Sequence, residues 1–121
     1  MRLSDIKNIL HCRLVSPTIN WDAESDIDIQ FAYASDLMSD ILVAVKPGAL
    51  LLTGLTNNQV IRTSKIAASS AIVFVRGKKP TDQTVKLAEQ YHIPVLTTDL
   101  SMFDACGILF SRGVKGVTAR K

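Results

Sequence analysis

The chain has 121 residues, 47% of them hydrophobic and 21% charged, with a formal net charge of +3. That balance suits one folded domain able to bury its own core, and it excludes a disordered or fibrous chain. Lys115, Arg120 and Lys121 account for the whole positive excess; the body is electrically balanced, and with only 6% aromatic residues it offers no basic, aromatic-interleaved face to nucleic acid.

Ser4 is placed to cap a first short helix with Ile6, Ile9 and Leu10 on one face. A short strand over Cys12 to Val15 follows. Ser16 to Asp28, with Pro17 and the lone Trp21, is the most polar and least periodic stretch and reads as a loop. Ile29, Phe31 and Tyr33 then alternate with Gln30, Ala32 and Ala34, which predicts a strand with one packed face. Asp36 is placed to cap a helix whose stripe is Leu37, Met38, Ile41, Leu42 and Val45, ended by Pro47-Gly48.

From there a rhythm sets in. Ala49 to Thr53, Ala71 to Val75 and Pro94 to Thr97 are continuous apolar runs. Helical patterns follow them, from about Asn57 to Ser69, Thr81 to His92 and Ser101 to Arg112. Unbroken apolar strands alternating with amphipathic helices mean parallel strands covered on both faces. The expected architecture is therefore a three-layer α/β/α domain, residues 1–112, with a mainly parallel sheet of about four to five strands. Residues 113–121 are expected to form a basic C-terminal tail.

Several function classes drop out. The runs Ile41 to Val45 and Ala49 to Leu52 are far too short to span a bilayer. Met1 to Asp5 leads into no long apolar run, so no secretory signal is expected. Cys12 and Cys106 have no CxxC spacing and read as reduced, buried thiols of a cytoplasmic protein. Gly77-Lys78-Lys79-Pro80 lacks the leading glycine and the hydroxyl of a phosphate-binding loop, and no GxGxxG or Gly-x-Ser-x-Gly is present. His11 and His92 stand at helix ends without partners at metal-ligand spacing. The strand-end residues Thr53, Val75 and Thr97 include no aspartate, which excludes a receiver-type phosphorylation domain. No metal and no cofactor is expected, and catalysis is not expected. A small hydrolase using Asp36 and Asp40, four residues apart on a helix, is the least favoured reading.

In an open parallel sheet, ligands bind beyond the carboxyl ends of the strands. The loops there carry the candidate ligand-binding residues: Ser35 and Asp36; Thr53, Thr56, Asn57 and Asn58; Arg76 and Gly77; Thr97 and Thr98. Helix N-termini, hydroxyls, amides and one arginine favour an anionic or nucleotide-like small ligand. Capping alone also accounts for Asp36, Asn57, Thr81 and Ser101.

Tyr33-Ala34-Ser35-Asp36-Leu37-Met38-Ser39-Asp40-Ile41-Leu42 resembles the signature of small stand-alone DRTGG-domain proteins. Ala71 to Pro80 and His92-Ile93-Pro94-Val95-Leu96-Thr97-Thr98 resemble the same family's later pattern. The N-terminal domain of HPr kinase/phosphorylase is similar over this region, and the Mur ligase N-terminal domain more distantly so, through Ser35-Asp36, Pro47 to Leu51 and Ile66 to Ala71. The resemblance implies an HPr kinase N-terminal-domain-like fold and a regulatory or ligand-sensing role without catalysis. It also implies a homodimer and service to a redox or hydrogenase-type operon. An accessory or scaffold protein of a redox complex, with no small ligand, is the alternative. The chain departs from the family's namesake residues: Leu55-Thr56-Asn57-Asn58 stands in place of the Asp-Arg pair, and Val75-Arg76-Gly77 keeps only Gly77 of the Thr-Gly-Gly turn.

Overall fold

A computed structural model describes residues 1–16, 26–44 and 46–118. The expectations for Pro17, Trp21, Val45, Arg120 and Lys121 lie outside the described residues. The chain forms α1 (Leu3–Ile9), β1 (Arg13–Ser16), β2 (Phe31–Ala34), α2 (Met38–Ala44), β3 (Leu50–Thr53), α3 (Asn58–Ile66), β4 (Ala71–Phe74), α4 (Asp82–Gln90), β5 (Val95–Thr97), α5 (Met102–Ser111) and β6 (Lys115–Gly116). One six-stranded sheet runs in the order β1-β5-β4-β3-β2-β6. Among these strands only the β1–β5 pair is antiparallel.

Alternation along the strands builds two cores. Leu50, Leu52, Ala71, Val73 and Leu96 pack with Leu3, Ile6 and Leu10 of the α1 region and Ala105 and Leu109 of α5. Leu51, Ile72, Phe74 and Val95 pack on the other face with Ile41 of α2, Val60 and Ile61 of α3 and Ala88 of α4. The result is the three-layer α/β/α fold. Every residue of β3 and β4 is buried, because both strands have helices above and below them.

The differences from expectation have local causes. Ser4 does not cap α1. Arg2 holds the cap position and its side chain makes no cap bond; the Asp26 carboxylate instead accepts from the Ser4 amide at 3.2 Å and from the Ser4 hydroxyl. An acidic group near a helix N-terminus stabilises it from outside the helix as well as from within. Of the stripe expected around α2, Ile41 is buried but Leu37 is 61% and Leu42 49% exposed. The sheet gains a sixth strand because residues expected in the tail belong to the domain. Lys115 and Gly116 pair with Phe31 and Ala32, and Val114 and Val117 on either side are buried.

Four helices end alike. After α1, α3, α4 and α5 a residue in the left-handed region (His11, Ala68, His92 or Gly113) turns the chain. At each, its amide and the next one reach back to two carbonyls of the last turn, as in Ala68 to Lys65 and Ser69 to Ser64. This double bond pattern satisfies carbonyls that the helix end leaves unpaired. Three of the four positions lack the glycine that adopts the conformation freely. Ala68 is exposed, so its methyl group buries little. Ala68→Gly is therefore expected to raise stability by about 0.5–1 kcal/mol; urea unfolding at fixed slope checks it, and a loss of stability would show that the turn is not strained.

Candidate functional site

Three of the four strand-end loops meet at Asp36. The β2–α2 turn is held by the Ser35 hydroxyl, which accepts from the Leu37 amide at 3.0 Å. That leaves Asp36 free to turn away from α2, so it is not the helix cap that its position suggests. Its Oδ1 accepts from the Gly54 amide at 2.8 Å and from the Thr53 hydroxyl at 3.0 Å. Its Oδ2 stands 3.5 Å from Arg76 Nη2. One carboxylate thus ties the carboxyl ends of β2, β3 and β4. The Gly54 amide above all, and then Thr53 and Arg76, hold its pKa below the usual carboxylate value, with partial burial opposing them. Asp40, its expected companion, is exposed on the first turn of α2, and its side chain makes no hydrogen bond among the described residues.

Gly54 leaves the space in which the Arg76 guanidinium rests. A Cβ at this position would collide with Arg76 Nη2 and Cζ, because the guanidinium lies across the glycine. Arg76 and Gly77 both adopt positive φ, 61° and 69°. This kinked turn is stitched to the next loop by Arg76 N to Leu100 O at 2.8 Å and Gly77 N to Thr98 O at 2.9 Å. The stitching narrows the crevice between β4 and β5. That crevice is where the helices change face, and in open sheets of this class it commonly receives the ligand.

The open space lies one strand over. Gly54, Leu55, Thr56, Asn57 and Asn58 on one side, and Lys78, Thr81, Gln83 and Thr84 on the other, line an open cleft of about 670 Å³, polar and apolar in nearly equal parts. The N-termini of α3 and α4 both open onto it. Asn57 caps α3 by accepting from Val60 N at 3.1 Å, and Thr81 caps α4 by accepting from Thr84 N at 3.3 Å. Thr84 Oγ1 donates to Asn58 Oδ1 at 2.6 Å and fixes the two helix ends together. The first amides of a helix have no partner within it, and helix N-termini of this kind favour an anion.

Thr97 and Thr98 do not join this cleft. Thr98 is buried, and its hydroxyl donates to Leu10 O at 2.7 Å, closing the end of α1. Both threonines and Gly77 line a separate polar recess of about 250 Å³ with His11, Arg13 and Lys79. Of the ten candidates, Ser35, Asp36, Thr53, Asn57, Asn58 and Thr98 are thus engaged in hydrogen bonds within the fold. Thr56 lines the cleft, and Arg76 is half exposed. Gln59 and Gln83 were missed, because exposed glutamines on a helix carry no motif; their position after a cap was the available signal. Among the described residues no group of three His, Cys, Asp or Glu side chains is placed to hold a metal, and no helix is long and apolar enough to cross a membrane. Burial pushes the Cys12 thiol up to about 12, which makes it a poor nucleophile.

No protein-family profile and no curated protein sequence matches the chain. Among solved structures it is similar to that of the CBS and DRTGG domains of the regulatory region of Clostridium perfringens pyrophosphatase, complexed with the activator diadenosine tetraphosphate. The TM-score is 0.69 at 17% identity, over 88% of this chain and 45% of that one. The chain therefore spans less than half the length of that structure, and at this identity the likeness is one of fold.

A carboxylate with a lowered pKa stabilises the fold above its unfolded value of about 3.9, and the benefit is lost as pH falls through the lower folded value. Asp36→Asn is expected to cost about 1 kcal/mol near neutral pH, a figure kept small because the group is partly exposed. The gap between wild type and variant should narrow below about pH 4. Urea unfolding across that range checks it; a gap independent of pH would assign the effect to packing.

Proposed function

We propose that this domain is a non-catalytic, ligand-sensing regulatory module, and that its ligand is an anionic, nucleotide-like metabolite bound by its phosphates between the N-termini of α3 and α4. The observation that carries this reading is the convergence of two helix N-termini and Lys78 on one cleft of about 670 Å³. That volume falls within the usual range for small-molecule sites. Lys78 supplies a mobile positive charge, the helix amides supply fixed donors, and Gln59 and Gln83 supply adaptable polar contacts.

Arg76 gives the module a means of response. Its pairing with Asp36 is long, 3.5 Å, and both side chains are partly exposed. Such a pair contributes little to stability, so a phosphate can draw the guanidinium away at small cost. Asp36 remains bonded to Gly54 and Thr53 when that happens, and the strand ends stay in place. The fold likeness to a regulatory region complexed with a dinucleoside polyphosphate supports the same class of ligand. The resemblance to DRTGG and HPr kinase N-terminal domains adds the regulatory role. Service to a redox or hydrogenase-type system rests on that resemblance, and co-purification with neighbouring gene products tests it.

Thermal unfolding with adenosine triphosphate or diadenosine tetraphosphate as probe tests the ligand reading. Saturation at about 100 times the dissociation constant should stabilise the fold by about 2.7 kcal/mol, and the probe should be recovered intact. Lys78→Ala should weaken binding about tenfold, near 1.4 kcal/mol. Gly54→Ala should fold normally but displace Arg76 and alter affinity. The absence of any shift with either probe or with inorganic polyphosphate at millimolar concentration would sink the reading, and turnover of the probe would refute the non-catalytic part.

A further inference from the structure

The recess at the crevice between β4 and β5 gathers side chains from four parts of the chain, and most of its lining is polar. His11 follows α1, Arg13 opens β1, Gly77 and Lys79 belong to the β4–α4 loop, and Thr97 ends β5 with Asp99 two residues beyond. Arg13 and Thr97 are Cα partners across the β1–β5 ladder, so their side chains stand on one face of the sheet. Thr97 is only 8% exposed, and its hydroxyl has no hydrogen-bond partner among the described residues. The partnerless hydroxyls sealed from the surface are those of Ser64 and Ser69; that of Thr97 reaches the surface, and the hollow it lines is this one. Such a hydroxyl, held by a strand, is a donor open to a ligand. The two ion pairs among the described residues lie elsewhere. His11, Arg13 and Lys79 therefore face the same hollow as Asp99 without pairing across it. The Asp99 carboxylate stands over Gly77, where a Cβ would lie 3.2 Å from its Oδ1.

We propose that this recess is a binding site for inorganic phosphate. Size is the first argument. Its volume of about 250 Å³ is below the ~300 Å³ at which sites for drug-sized ligands begin, so it suits a single phosphate better than a nucleotide with its base and ribose. Charge is the second. Arg13 and Lys79 bring two positive charges against the one negative charge of Asp99, and the His11 ring and the Thr97 hydroxyl add N–H and O–H donors. The fork of an arginine matches two oxygens of a phosphate at once. The third argument is Asp99 itself. A carboxylate on the wall repels a bare anion and accepts a hydrogen bond from one that carries a proton. Inorganic phosphate keeps a proton at neutral pH. Sulfate keeps none, and a phosphomonoester, with a second pKa of about 6, has mostly lost its own. The place is also apt, since the loops of an open sheet part where the helices change face. Lys78 lines the cleft between α3 and α4 whereas Lys79 lines this recess, so the inference stands apart from the functional reading.

Nuclear magnetic resonance of the two imidazole rings, with inorganic phosphate added to the full chain at constant pH and ionic strength, decides it. His92 lies outside the recess, beside Ser64 and Tyr91, and serves as the reference. The His11 signals should shift and saturate by about 10 mM phosphate, about ten times a dissociation constant of about 1 mM, while those of His92 stay in place. Phosphate taken up between α3 and α4 does not register on the His11 ring. Arg13→Gln/Lys79→Gln, both at exposed positions, should abolish the saturation without unfolding the chain. Thr97→Val should weaken binding about tenfold, the loss of one hydrogen bond to a charged group. Sulfate and glycerol phosphate should fail to saturate the wild-type signal, and Asp99→Asn should admit sulfate. A His11 ring that phosphate does not shift overturns the proposal. So does a shift shared by His92, one that survives Arg13→Gln/Lys79→Gln, or sulfate or glycerol phosphate binding to wild type as tightly as inorganic phosphate.

Discussion

The rest of the molecule follows from two short strands that have no face for water. Leu50–Thr53 and Ala71–Phe74 pair side by side in parallel, and all eight residues are buried. A parallel pair must be joined by a crossover, and strands apolar on both faces must be covered on both. Three successive crossovers, α2, α3 and α4, lie on one face and carry the sheet steadily from β2 to β5. The other face then falls to α1 and to α5, the last helix, which leads the chain back to the far edge beside β2. Two helices cover less sheet than three. The deficit appears over β2, as the groove beside Phe103 and Phe110.

The same winding sets where chemistry can occur. Crossovers on one face place the amino ends of α3 and α4 side by side above the carboxyl ends of β3 and β4. A gap between two helix ends is polar by construction, because neither helix can satisfy its own first amides. The change of face after β5 makes a second crevice. Backbone bonds from Arg76 and Gly77 to the next loop narrow it to a recess of about 250 Å³ near Thr97. Ligand space is thus decided by which loop pair is stitched as much as by topology.

Much of this could be read from residues near one another in sequence. The apolar runs at Leu50 and Ala71 specify buried strands by composition. Asn57, Thr81 and Ser101 each precede a helix by one residue, and each side chain accepts from an amide three residues on. What could not be read depends on distant partners. Ser4 resembles a cap until Asp26, 22 residues away, occupies its amide and hydroxyl. Asp36 resembles a cap until Gly54 competes for the same oxygen with a fixed backbone amide. Lys115-Gly116 has too short a pattern to announce a strand; the open edge of β2 recruits it. In the site, Thr53, Gly54 and Arg76 meet at the Asp36 carboxylate, and the sequence placed their loops at the same end of the sheet without showing that they meet. The separation of Thr97 and Thr98 from that carboxylate could not be read either, because a loop's direction is set by the bonds it makes with its neighbour.

The carboxylate at the centre separates two kinds of attachment. Oδ1 of Asp36 takes two short bonds from β3, one of them from a backbone amide that cannot swing away. Oδ2 meets only the end of a long, half-exposed arginine. The first attachment belongs to the fold and the second to the environment, since a charged ligand competes with the second on nearly equal terms. Gly54 is the hinge between them. It donates the amide that fixes Asp36, and its missing side chain is the space in which the Arg76 guanidinium rests. A single residue without a side chain therefore lets the Asp36 loop be fixed toward the sheet while the Arg76 arm beside it stays exposed.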